Sequence, residues 1–121
     1  MRNILFSILL LCAVAPCFSK DQTGRTLLED LQLADRMNSK GDLSAGDCFK
    51  VGVMCGLIIG VADTGANVFF TPPANWNPKI GQEVIRKYLQ ENPDKLDQYA
   101  TALIIQSMQA AYPLQLSLIH I

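Results

Sequence analysis

Four cysteines, a single histidine and a set of helix-borne carboxylates are the groups in this 121-residue chain that could carry covalent or acid–base chemistry. A cysteine nucleophile needs an imidazole within hydrogen-bond reach to hold it as thiolate. The one imidazole, His120, stands next to last in the chain, far in sequence from Cys48 and Cys55. A zinc site fails on ligand count, because no His/Cys pairs stand at metal spacing. Glu91, Asp94 and Asp97 are neighbours, but they surround an expected helix start and read as a solvated surface rather than a glycosidase pair. No phosphate loop and no Gly-x-Ser-x-Gly elbow is present. No catalytic residue, metal or cofactor is therefore expected. A chain so equipped works by binding.

The balance of 10 basic and 11 acidic residues gives a net charge of −1. That lacks the basic face needed to replace phosphate counterions, so nucleic acid is not an expected partner. Half of the residues are hydrophobic and 17% charged, enough to bury one core in a chain whose length allows one domain.

The first 19 residues stand apart. Arg2 opens a short positive region, Ile4 to Ala15 is uncharged and apolar, and Cys17-Phe18-Ser19 places small residues at −3 and −1 of a cut before Lys20. This is the pattern of a secretory signal peptide spanning residues 1–19. The apolar run is shorter than the roughly 20 residues that span a bilayer, which weighs against a membrane anchor. No membrane association is expected once it is removed. In an oxidising compartment Cys48 and Cys55 would by default pair. Seven residues apart on one helix, however, they stand roughly 10.5 Å apart, beyond the ~7 Å that a disulfide spans. Either the helix begins after Cys48, or the thiols stay unpaired; the second reading is preferred.

Residues 20–113 read as an all-α domain, a small bundle of about four helices. The first runs from about Thr26 to Asn38, with Thr26 and Glu29 at capping-box spacing and Leu27, Leu31 and Ala34 on one face. The second runs from about Ser44 to Asp63 and is apolar on nearly every side, which predicts a place at the domain centre. Gly52, Gly56 and Gly60 recur along it every fourth residue as a bare ridge for close helix packing, by either the helix containing Ile80–Leu89 or a second subunit. The third starts with Asn77 as cap and Pro78 at its first position. Asn92-Pro93 repeats that device and predicts the start of the fourth, with Leu96, Tyr99, Ala100, Leu103, Ile104 and Met108 at helical spacing as far as Pro113. The link is so short that the last two helices must form an antiparallel hairpin. The segment Leu114–Ile121 has no charge, cap or helical period; it reads as non-native read-through or a hydrophobic tail outside the domain.

Between the second and third helices, Thr64 to Asn77 has no helical period. It holds Phe69, Phe70 and Trp76, and Pro72-Pro73 stiffens it.

From Ser44 to Pro113 the chain resembles the type VI secretion amidase immunity (Tai/Rap) proteins. The resemblance is carried by Gly56-Leu-Ile-Ile-Gly-Val-Ala-Asp63, by Gly81-Gln82 with Val84-Ile-Arg-Lys-Tyr-Leu89 and Asn92-Pro93, and by Ala100-Thr-Ala-Leu-Ile104 leading to Ala111-Tyr112-Pro113. Leu57 stands where the family has an aromatic residue, and Thr71 and Leu114 stand where many members carry a pair of cysteines. The resemblance implies a periplasmic immunity protein, commonly a homodimer, that blocks the active-site cleft of a peptidoglycan-cleaving amidase effector. A cleft inhibitor needs a restrained loop with aromatic anchors. The loop from Val68 to Asn77 is the candidate, with Trp76 foremost, Phe69 and Phe70 as further anchors or as core, and Asp63 and Asn75 as rim hydrogen-bonding groups. The alternatives are an exported helical adaptor without a toxin partner, and a cell-wall enzyme, against which the missing base weighs.

Overall fold

The computed structural model describes residues 22–116, so the signal-peptide segment and His120 lie outside the described residues. Four α-helices follow one another: α1 (Gly24–Lys40), α2 (Ala45–Gly65), α3 (Pro78–Glu91) and α4 (Ala100–Ala111), with a 3-10 turn at Pro93–Lys95 before the last. The chain is all-α, and there is no strand among the described residues. Leu27 and Leu31 of α1, Met54 and Ile58 of α2, Ile85 and Leu89 of α3, and Leu103, Ile104 and Met108 of α4 meet in one core, each at most 1% exposed. As expected of a hairpin, α3 packs most extensively on α4. Arg86 ties α3 to α1 through Asp35 at 2.8 Å and also meets Glu83 at 2.9 Å.

Two starts follow local signals. The Ser44 hydroxyl accepts from the Asp47 amide and opens α2. Asn77 Oδ1 accepts from the amides of Lys79 and Ile80, and Pro78 stands first in α3, where its missing N–H costs nothing.

The other two differ from the sequence reading, for one shared reason. In α1 the cap is Thr23, not Thr26. Thr23 Oγ1 accepts from the Thr26 amide at 3.5 Å, and the Thr26 hydroxyl accepts from the Thr23 amide at 2.9 Å, so Thr26 occupies the N3 place of the box. The next amides, of Gly24 and Arg25, donate to the carbonyls of Gln98 and Leu96, both at 3.0 Å. Those carbonyls belong to the stretch where Asn92-Pro93 predicts a continuing helix. Because they cap α1, that helix stops after a single 3-10 turn, and α4 begins only at Ala100, whose amide donates to the Gln22 carbonyl. Tyr99, expected at helical spacing within the fourth helix, instead precedes α4 and is 77% exposed. Gly24 permits the contact: a Cβ there would strike the Leu103 side chain and stand 3.1 Å from the Leu96 backbone. Gly24→Ala should therefore lower unfolding stability by about 1–3 kcal/mol. An unchanged urea midpoint would show that this close approach is not rigid.

The largest departure concerns α2. Its inner face is buried through Val51, Met54, Ile58 and Ala62, but its outer face is open. Phe49, Val53 and Ile59 are exposed there, and a Cβ built on Gly52, Gly56 or Gly60 would meet nothing within 4 Å. Among the described residues no helix packs on the glycine ridge, and α2 is a flank of the bundle rather than its centre. Among the described residues it is the helix long and apolar enough to cross a bilayer by length and composition. Charged Asp47, Lys50 and Asp63 leave only Val51–Ala62 uncharged, however. That is about 18 Å at helical rise, short of a ~30 Å hydrocarbon core. Cys48 and Cys55 both fall inside α2 and are free, as their spacing on one continuous helix requires. Asp30 of α1 is buried beside this helix; desolvation pushes its carboxyl up from 3.8, while the Lys50 charge pulls it down.

Candidate functional site

The connection from α2 to α3 is an uncharged hook. Its bend is set at Asn67, whose positive φ of 62° is a left-handed conformation that asparagine tolerates better than most residues. The Asn67 amide donates to the Phe70 carbonyl at 2.7 Å, and the amides of Val68 and Phe69 both donate to the Gly65 carbonyl. The chain thus doubles back over the end of α2. Phe70 is fully buried, with its ring against Gly65; a Cβ on that glycine would lie 2.8 Å from Phe70 Cε1. Phe70 also bridges to Pro113, and the Thr71 amide donates to the Tyr112 carbonyl at 3.1 Å. With Phe70 fixed inward, Val68 and Phe69 are left outward, 59% and 46% exposed.

The sequence-predicted residues therefore separate into three groups. Asp63 on the last turn of α2, Phe69 and Asn75 are exposed and accessible to a partner. Phe70 is not accessible; it is the pin that holds the hook and does not serve as an anchor. Trp76, the foremost anchor of the sequence reading, is placed between core and surface. It is half-buried against the core, with its six-membered ring lying over Gly81, where a Cβ would come within 2.7 Å of Cζ2. Its indole N–H is buried without a hydrogen-bond partner among the described residues. Asn67 and Val68 are also exposed, are not aromatic, and nothing in their residue types marks them as a contact surface.

The far side of the loop is braced by the chain's end. Thr71 and Leu114, the positions where the resemblance places cysteines, come together without them: the Gln115 amide donates to Thr71 Oγ1 at 2.8 Å. Ordered contacts thus extend past Pro113, where the domain was expected to end. A shallow groove lies here, lined by Pro72, Pro73, Ala74, Tyr112 and Pro113.

Nothing in this region is arranged for catalysis. No cluster of three or more metal-ligating side chains exists among the described residues. Cys55 Sγ accepts from Gln82 Nε2 at 3.6 Å and has no base beside it. What the hook offers is a neutral, hydrogen-bonded turn with Val68 and Phe69 exposed. The family model of the Rap1a immunity proteins matches residues 23–114, nearly the whole described domain. The chain belongs to the Rap1a immunity proteins. No curated protein matches it. Membership makes the protein an inhibitor with an effector partner, not an enzyme.

Proposed function

We propose that the protein is a periplasmic immunity protein of type VI secretion, exported by its signal peptide at residues 1–19. In this reading it acts as a homodimer that inhibits a peptidoglycan-cleaving amidase effector, and the hook at Asn67, Val68 and Phe69 enters the enzyme's cleft. The observation that carries the reading is the opposed placement of adjacent phenylalanines: Phe70 is 0% exposed and Phe69 46%. A projecting side chain next to a buried pin loses little conformational freedom on binding, which favours affinity. Asp63 and Asn75 are exposed at the two ends of the loop and supply rim hydrogen bonds.

Co-expression with a periplasm-directed amidase tests the whole proposal. The full chain should rescue cells from lysis, and a version beginning at Lys20 without the leader should not. Rescue by the leaderless form would contradict the periplasmic site of action, and lysis in both cases would contradict inhibition of that amidase.

A further inference from the structure

Past the buried ring of Phe70 the loop can be fastened to the body at few places. Pro72 and Pro73 have no amide to donate, and the Trp76 amide is used within the loop, on the Pro73 carbonyl. Among the described residues no hydrogen bond joins residues 72–75 to another element, so Thr71 carries the fastening. Its amide donates to the Tyr112 carbonyl at 3.1 Å, and its hydroxyl accepts from the Gln115 amide at 2.8 Å. These two partners lie on either side of Pro113, which has no amide of its own. The side chain of Thr71 thus takes up a main-chain donor from beyond the last helix, two residues after the exposed Phe69.

We propose that Thr71 is a positioning residue for inhibition: its hydroxyl, gripped by the chain beyond α4, fixes the direction in which Phe69 is presented to the effector. The proposal rests on the hook reading and adds residues 112–115 to the inhibitory device. A single buried ring fixes a point, and attachments on both sides of it are needed to fix a direction. Before the Phe70 ring, the Gly65 carbonyl supplies one by accepting from the amides of Val68 and Phe69. After it, Thr71 supplies the other. A loop left loose here would have to be ordered during binding, and that cost is subtracted from affinity. The bond to the hydroxyl comes from a main-chain amide. It therefore needs threonine or serine at position 71, and at position 115 any residue except proline.

Variants at the two ends of this bond test the role, by hydrogen exchange of the hook and by inhibition of a purified peptidoglycan amidase. Thr71→Val keeps the shape of the side chain and removes the acceptor. It should speed exchange at the Val68 and Phe69 amides about fivefold, the size of one net hydrogen bond, and leave the amides of α3 and α4 unchanged. Its inhibition curve should move about threefold or more to higher concentration. Thr71→Ser should restore both readings. Gln115→Pro should reproduce Thr71→Val, whereas Gln115→Ala should match the wild type. Thr71→Val combined with Gln115→Pro should be no worse than either alone, because both remove the same bond. Unchanged hook exchange in Thr71→Val would overturn the positioning role and leave the hook reading standing. So would an unmoved inhibition curve for Thr71→Val when Phe69→Ala moves its own. If Phe69→Ala inhibits as well as the wild type, the hook reading fails and the positioning role fails with it.

Discussion

Phe70→Ala is expected to lower the unfolding free energy by about 3–5 kcal/mol, the range for emptying a buried aromatic site. The ring is fully buried against Gly65, and the backbone of Phe70 bridges to both Ala66 and Pro113. Its loss should do more than destabilise. With the pin gone, the amides of Asn67, Val68 and Phe69 should exchange with deuterium much faster than those of α3 and α4. Urea unfolding gives the first quantity and hydrogen exchange the second. A loss below about 1 kcal/mol, with the hook still protected, would mean that the Asn67 turn and the Pro113 bridge hold the loop without the ring.

Phe69→Ala should act in the opposite way. The side chain is nearly half exposed, so stability should stay within about 0.5 kcal/mol of the wild type. As the central anchor, Phe69 should on truncation weaken effector binding by about 2 kcal/mol or more, roughly thirtyfold. Val68→Ala, at the neighbouring residue, should cost less because it removes less surface. In the proposed reading the pair of phenylalanines divides one loop into a structural and a binding half, so the two variants should fail different assays.

How much of this was legible in the sequence depended on the range of the interactions. Ser44 and Asn77-Pro78 opened helices where expected, because a cap needs only a side-chain acceptor and an amide two or three residues on. The start of α4 was not legible. It is decided by hydrogen bonds from Gly24 and Arg25 to the distant carbonyls of Gln98 and Leu96, which no local pattern records. The glycine ridge misled in a similar way. An all-round apolar helix with three bare positions looked like the centre of a bundle, yet the other helices among the described residues cover only one of its faces. In the loop, composition singled out the aromatic residues but not their orientation. Phe69 and Phe70 are chemically identical, and which one turns inward is set by the bend at Asn67 and the space above Gly65. Trp76 stood out as the sole tryptophan, but Gly81 opens a place for it on α3 that spacing alone does not reveal.

If the outward half of the hook inhibits while the helices hold it, a single titration should show the division. A purified peptidoglycan amidase is titrated with wild-type and Phe69→Ala protein, reading residual cleavage against inhibitor concentration. The Phe69→Ala curve should be displaced about thirtyfold or more to higher concentration, with helicity and urea midpoint identical to the wild type. Superimposed inhibition curves for the two proteins would contradict an inhibitory role for the hook.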